Sequence, residues 1–140
     1  MGASHGARRG QGARRGLLTL GSVLLAAGLA AGLPPQSQAA DPTLETYLQT
    51  LWGQMLDALA LEDIEGALVF VEPAARDRYR ENFRILGPRL HEEAAALRRM
   101  RLLRVEGGRA ICEIQRTGSG RSYPLHFRRD PAGGWWIEEM

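Results

Sequence analysis

The sequence predicts an α+β domain in which N-terminal helices cover one face of a four-stranded antiparallel sheet. Two observations support this prediction. Residues 44–97 repeat apolar side chains at helical spacing, whereas residues 100–139 alternate apolar and polar side chains between glycine-rich turns. A sheet with one apolar face is not stable alone in water, so three to four helices are expected to pack against that face.

The first 39 residues have the pattern of an export signal. An arginine-rich, acid-free start is followed by the apolar residues 17–33 and then by the small-residue site Ser37-Gln38-Ala39, which is the order of regions in a secretory signal peptide. We expect cleavage after Ala39, which leaves residues 40–140 as one domain in the periplasm or outside the cell. The alternative is an uncleaved anchor that holds the protein at a membrane, but an apolar run of about 17 residues is at the short limit for a span.

Composition narrows the classes of function. All 18 basic residues are arginine, and four of them precede residue 40, so 14 arginines face 16 acidic residues in the mature chain, a formal net charge of −2. That balance gives no reason to expect a nucleic-acid partner. The pair Arg14-Arg15 permits the twin-arginine export route as well as the general one. Because Cys112 is the only cysteine, no disulfide can form within the chain.

The first helix is expected to begin at Asp41-Pro42, because aspartate can cap the first turn and proline suits the first helical position. It should run to about Leu61 with one broad apolar face. Acidic residues within 62–65 then open a second, short helix, where they interact favourably with the helix dipole. The apolar side of this second helix is expected to comprise Ala67, Leu68, Phe70 and Val71.

A third helix opens at Glu72-Pro73 and is expected to end at Gly87-Pro88, since glycine permits a left-handed cap and proline cannot continue the helix. Its residues Tyr79, Phe83 and Leu86 are four and three positions apart and therefore share a face. A fourth helix is predicted over residues 89–99, with Leu90, Ala94 and Leu97 facing inward.

Four strands follow, near residues 100–106, 109–117, 121–130 and 134–139. Their turns predict the register. A two-residue turn at Gly118-Ser119 pairs Ala110 with Phe127, Cys112 with Leu125 and Ile114 with Tyr123. A three-residue turn at 131–133 pairs Phe127 with Ile137, and on the other face it places Arg128 beside Trp136 and His126 beside Glu138. Both registers keep one apolar face continuous.

Several short segments in this order suggest a family. They are Ala58-Leu59, Asp63-Ile64-Glu65-Gly66-Ala67-Leu68, Arg78-Tyr79 with Phe83, Gly108-Arg109-Ala110, residues 123–130 and Gly133-Gly134-Trp135-Trp136-Ile137. Over residues 44–139 the chain thereby resembles the nuclear-transport-factor-2-like superfamily. The resemblance implies a cone in which helices and a curved sheet enclose a pocket, and pairing through the sheet in many members. Members include isomerases, dehydratases, cyclases and binding modules, so it implies no single activity; the most similar branch consists of exported proteins of unknown role.

The predicted pocket leads to the functional hypotheses. Its candidate lining residues are Tyr47, Trp52, Tyr79, Phe83, Cys112 and Phe127. Isomerases of the family use a tyrosine and carboxylic acids, and proton transfer needs a carboxyl group whose pKa is raised by apolar surroundings. The inward strand positions carry no acid, and no spacing directs Asp57 or Asp63 inward. We therefore predict a binding or assembly domain without a cofactor, which takes a small ligand or a periplasmic protein. The alternatives are a proton-transfer enzyme and a small accessory domain with a filled core.

Cysteine and histidine provide no separate site. Cys112 is expected to be an inert core thiol, because His126 lies on the opposite face of the sheet and cannot lower its pKa. His91 and His126 with this single cysteine form no metal-binding spacing, so no metal is expected.

The outward face of the sheet is the predicted interface. Its candidate residues are Ile111, His126, Arg128 and Trp136. A tryptophan flanked by arginine is typical of an interface centre, so we expect a homodimer or a partner contact there. The alternative is that Trp136 is sheltered by the Arg128 stem as a cation–π pair. A second cluster, the arginines within 98–104, is expected to be a solvated face, with an anionic periplasmic ligand as the alternative.

Overall fold

A computed structural model describes residues 40–140, and this part of the chain is an α+β domain. The helices are α1 (Pro42–Ala60), α2 (Ile64–Leu68), α3 (Arg76–Leu86) and α4 (Leu90–Ala96), of which α2 is little more than one turn. The strands β1 (Arg99–Glu106), β2 (Arg109–Gln115), β3 (Ser122–Arg129) and β4 (Trp135–Glu139) form one antiparallel sheet in the order β1-β2-β3-β4. The predicted α+β class is confirmed, whereas the predicted export signal lies outside the described residues. None of the described helices is long and apolar enough to cross a membrane.

Hydrogen bonds from backbone N–H groups define both ends of helix α1. The Asp41 carboxylate accepts a hydrogen bond from the Thr43 N–H at 2.9 Å, as expected for an N-cap. After the helix, Glu62 adopts a left-handed φ of 59°, and the Asp63 N–H donates to the Ala58 carbonyl at 2.9 Å. A residue other than glycine at this position is strained, because its Cβ crowds the backbone.

The segment after α2 differs from the prediction. Phe70 and Val71 do not belong to the second helix, which ends at Leu68. Instead, the Ile137 N–H on β4 donates to the Phe70 carbonyl at 2.8 Å, and the Glu72 N–H donates to the Ile137 carbonyl at 2.9 Å. The backbone of residues 70–72 thus satisfies its polar groups by covering the outer edge of β4, which would otherwise be open.

Helices α3 and α4 meet at a glycine junction, as predicted. A short 3-10 turn, Pro73–Ala75, leads into α3, and Gly87 ends it with φ 45° and ψ −118°. The predicted end of α4 at residue 99 is wrong, because the helix stops at Ala96. There the Ala96 carbonyl accepts from the Thr117 N–H at 2.9 Å, and the Leu97 carbonyl accepts from the Trp52 indole at 2.8 Å. The last carbonyl groups of this helix are thus satisfied by the β2–β3 loop and by α1 and not by a further helical turn.

The predicted strand register is confirmed at most positions, although the β2–β3 loop comprises the four residues 117–120 and not two. Cys112 pairs with Leu125, Phe127 with Ile137 and Arg128 with Trp136, all as predicted. The prediction of Glu138 beside His126 is wrong, because the register shifts by a bulge between His126 and Phe127. His126 faces Glu139 instead, with 3.4 Å between Nδ1 and Oε2.

Apolar side chains form the interior between the sheet and the helices. The buried residues include Leu48, Met55 and Leu56 from α1, Ala94 from α4, and the inward strand residues Leu102, Ala110, Cys112, Leu125, Phe127 and Ile137. Within residues 40–140, no charged or polar side chain is buried. The apolar inward face that the sequence predicts is therefore confirmed.

Candidate functional site

A cavity of about 220 Å³ lies between α1, α3, α4 and the sheet. We call it the helix–sheet pocket. Its lining comprises Trp52, Met55, Leu56, Leu59, Tyr79, Asn82, Phe83, Leu86, Leu90, Glu93, Ala94, Leu97, Ile114, Tyr123 and Met140. Since Asn82 and Tyr123 are exposed while Phe83 and Leu90 are buried, the first pair marks the mouth and the second pair the interior.

The structure brings together half of the predicted pocket residues. Trp52, Tyr79 and Phe83 line the helix–sheet pocket. Tyr47 does not, and it is 47% exposed. It precedes Trp52 by five residues, which places it roughly 140° away around an α-helix. Its assignment to the pocket is therefore wrong.

Cys112 and Phe127 also lie outside the helix–sheet pocket, although both are inward as predicted. They are fully buried in the core beneath the middle of the sheet. Burial raises the pKa of the Cys112 thiol to about 12, and the charge of Glu45 adds to this effect. The thiol is therefore protonated at neutral pH and inert, as the sequence predicts for a core cysteine.

Glu93 is the carboxylate of the helix–sheet pocket, and sequence reasoning missed it. Arg116 donates to both of its oxygens, with Nη2 at 3.1 Å from Oε1, and Arg89 Nη2 also donates to Oε1 at 3.1 Å. The Glu93 side chain is only 16% exposed. Hydrogen bonding from Arg116 is the main cause that lowers the pKa of Glu93, so the carboxylate stays ionised and paired at the pocket rim.

The polar groups of the lining residues Trp52 and Tyr79 form hydrogen bonds within the protein. The Tyr79 hydroxyl accepts from the Met140 N–H at 2.9 Å and from Arg78 Nη2 at 3.3 Å. The Trp52 indole N–H donates to the Leu97 carbonyl, so its ring presents only carbon surface to the cavity. Tyr79 also stacks on Phe83, with 6.1 Å between ring centroids. These contacts hold the pocket wall in place and leave it apolar.

The other titratable candidates lie away from the helix–sheet pocket. Asp57 pairs with Arg98 at 2.6 Å, and Asp63 caps α2 by accepting from the Gly66 N–H at 2.8 Å. His91 is exposed, with its Nδ1 3.3 Å from the Ala60 carbonyl. Across residues 40–140, no group of three or more His, Cys, Asp or Glu side chains could hold a metal ion.

The outward sheet face places the four predicted interface residues together. Ile111 pairs with His126 and Arg128 with Trp136 across neighbouring strands. The arginine over the Trp136 ring is Arg76, at 5.4 Å from the centroid. The alternative in which Arg128 shelters this ring is therefore wrong, because Arg128 donates to Glu138 instead, with Nε at 3.0 Å.

Ion pairs cover most of the same face. Glu138 accepts from Arg109 at 2.6 and 2.8 Å in addition to its bonds from Arg128. These hydrogen bonds, those from Arg109 first, lower the pKa of Glu138. Two further pairs are Arg101 with Glu113 at 3.0 Å and Arg104 with Glu106 at 2.6 Å. Four arginines of this face, Arg101, Arg104, Arg109 and Arg128, are thus paired with carboxylates of the same face.

Comparison with known proteins supplies no relative. No family model, no curated protein and no solved structure matches this chain. The function is therefore inferred from the chemistry of the helix–sheet pocket and of the outward sheet face.

Proposed function

We propose that residues 40–140 form an exported binding domain that holds a small apolar molecule in the helix–sheet pocket. The observation that carries this proposal is a cavity of about 220 Å³ lined almost wholly by carbon surface. For comparison, an engineered apolar cavity of about 150 Å³ stays dry and binds benzene. A ligand with a one- or two-ring body, or with a short acyl chain, matches this volume.

The proposal includes a cone-shaped fold of the nuclear-transport-factor-2-like kind. Two features support it: the helices all precede the sheet, and the pocket lies between helices and sheet. Export is the expectation from the leader sequence and belongs to the same proposal. Because this fold hosts enzymes as well as binding modules, the pocket chemistry decides between them.

That chemistry favours binding over proton transfer. A catalytic acid or base works best with a pKa near the operating pH, whereas the pKa of Glu93 is lowered by Arg116. Among the lining residues, Glu93 is the sole carboxylate, and neither histidine nor cysteine joins it. An isomerase-like or dehydratase-like enzyme is the alternative, and it would need a carboxyl group with a raised pKa at this place.

Titration of the mature protein with N-phenyl-1-naphthylamine, a neutral probe that fluoresces in apolar surroundings, tests the proposal. We expect saturable binding by the unchanged protein and a loss of at least about tenfold in affinity for Ala94→Leu, which fills the cavity. Leu86→Trp at the mouth is a second filling variant. Gly53→Ala is the matched control, since it adds a methyl group where no atom lies within 4 Å and outside the pocket lining.

Loss of binding can be distinguished from loss of folding. Circular dichroism establishes that each variant is folded before its affinity is compared. An unchanged protein that shows no saturable binding overturns the proposal, as does an Ala94→Leu protein that binds as well as Gly53→Ala.

We also propose that two copies associate through the outward sheet face. The observation that favours it is that the arginines around Ile111 and Trp136 are paired with carboxylates of the same face, which lowers the charge repulsion between two copies at this centre. Trp136→Ala is expected to abolish self-association in sedimentation velocity. Leu61→Ala, at a side chain that is 81% exposed on another surface, is expected to leave it unchanged. A wild-type protein that stays monomeric at every concentration removes this proposal.

A further inference from the structure

The two edges of the sheet differ. The outer edge of β4 is covered by the backbone of residues 70–72, through the hydrogen bonds with Ile137. Along β1, no strand of the described chain pairs with the outer edge. There the Gln49 side chain donates to the Met100 carbonyl at 3.1 Å. Of the two edges, β1 is therefore the longer and less covered one, and a further strand is expected to join the sheet there.

Strand geometry identifies the available backbone groups. In an antiparallel ladder the N–H and C=O of one residue point to the same side, and this side alternates along the strand. Because the Met100 carbonyl faces Gln49, Met100 and Leu102 direct their backbone groups away from β2. The register shift between Leu102 and Arg104 bends the strand beyond that point, so the usable edge is residues 99–102.

The side chains along this edge are cationic. Residues 98–104 contain four arginines and no acidic residue. Arg98, Arg101 and Arg104 are paired with carboxylates, whereas exposed Arg99 has no carboxylate partner within residues 40–140. A groove beside the edge is lined by Gln49, Arg98, Arg99, Met100, Arg101, Glu113 and Gln115. An incoming strand would meet an unneutralised positive charge here.

We propose that the outer edge of β1 binds an extended acidic segment of another protein as an added strand. Its acidic residues lie at alternate positions and face Arg99 and Arg101, which share one face of β1 because they are two residues apart. A second copy does not fit, because pairing β1 with β1 would oppose the two arginine-rich strands. Edge arginines and a bulge also hinder self-pairing of strands, and this protection leaves an acidic partner as the complementary one.

A fluorescein-labelled peptide of alternating glutamate and valine is the probe, and its anisotropy is measured with the mature protein. We expect binding that is lost when the peptide backbone is N-methylated at alternate residues, because methylation removes the donors that would pair with β1. A peptide with lysine in place of glutamate is expected not to bind. An N-methylated peptide that binds equally well overturns the added-strand geometry, and absence of binding by the unmodified peptide overturns the site.

Protein variants locate the peptide. Arg99→Glu is expected to weaken binding by at least about fivefold without loss of stability, because this side chain is exposed and has no ion pair to lose. Arg84→Glu on α3 is the control with the same change of charge; Arg84 has only a long ion pair with Glu81 at 4.0 Å, and this variant should bind as the wild type does. Gln49→Ala should tighten binding about twofold to threefold, since it frees the Met100 carbonyl. Equal effects of Arg99→Glu and Arg84→Glu would indicate long-range attraction only and would overturn the assignment to β1.

Discussion

Adding one methyl group to the chain is expected to have opposite effects at two glycines. Gly87 lies at the junction of α3 and α4, two helices that line the helix–sheet pocket, with φ 45° and ψ −118°. Gly53 lies in the middle of α1 in ordinary helical conformation. At both positions an added Cβ meets no atom within 4 Å. The effect of Gly87→Ala and Gly53→Ala is therefore conformational and not steric crowding by neighbours.

The magnitudes follow from the backbone conformation. Holding alanine in the sparsely populated region of Gly87 costs about 1–3 kcal/mol. Replacing an interior helical glycine by alanine at Gly53 stabilises by about 0.5–1 kcal/mol. The free energies of unfolding of the two variants should thus differ by roughly 1.5–4 kcal/mol, with the unchanged protein between them.

Thermal and urea unfolding of residues 40–140, followed by circular dichroism, measure this difference. For a domain of this size about 1 kcal/mol shifts the Tm by roughly 4–8 °C, so the two variants should melt at least about 6 °C apart. The reasoning is refuted if Gly87→Ala melts with or above the unchanged protein. A Gly53→Ala protein that loses stability would show instead that α1 does not tolerate a methyl group where the structure leaves space.

Three further predictions concern single side chains. Because the folded-state pKa of Glu93 lies below its ordinary value of 4.5, its contribution to stability is present above about pH 4.5 and is lost as the pH falls through the lower folded pKa. Glu93→Gln should therefore be less stable than wild type at pH 7 in urea unfolding, and the gap should narrow below pH 4.5; a gap that is independent of pH would contradict the ion pair. Cys112, with a pKa raised to about 12 by burial, should resist iodoacetamide at pH 8 until the protein is unfolded, as mass spectrometry can show; rapid alkylation of the native protein would place the thiol at the surface. Glu62→Gly should raise the free energy of unfolding by about 0.5–1 kcal/mol, because it relieves a left-handed φ of 59°; a lower value in urea would argue against strain at this helix end.

Local chemistry in the sequence determined several element boundaries and much of the sheet. Asp41 caps α1, Gly87 ends α3, and the turn at Gly118-Ser119 pairs Cys112 with Leu125, all of which were predictable. Each depends on residues close together in the chain: a side chain that reaches the next turn, a φ that only glycine adopts readily, or a loop whose length sets the pairing. The alternation of strand residues likewise determined that the interior would carry no acid.

The pocket was predictable only in part. Helical spacing placed Trp52, Tyr79 and Phe83 inward correctly, and the five-residue separation of Tyr47 from Trp52 already puts Tyr47 on another face of α1. Glu93 was missed because its role depends on Arg116, which lies 23 residues later in the chain and at the end of a strand. No pattern of residues near Glu93 signals such a contact.

Tertiary structure alone decided which charged side chains find a partner and which strand edges are covered. Residues 70–72 cover β4 rather than continuing a helix, Arg76 rather than Arg128 lies over Trp136, and β1 keeps an open, arginine-rich edge. These contacts join segments far apart in sequence, and their energies depend on distances set by how the helices pack on the sheet. Periodicity determines which face of an element is buried, whereas docking of the elements determines what each remaining polar group meets.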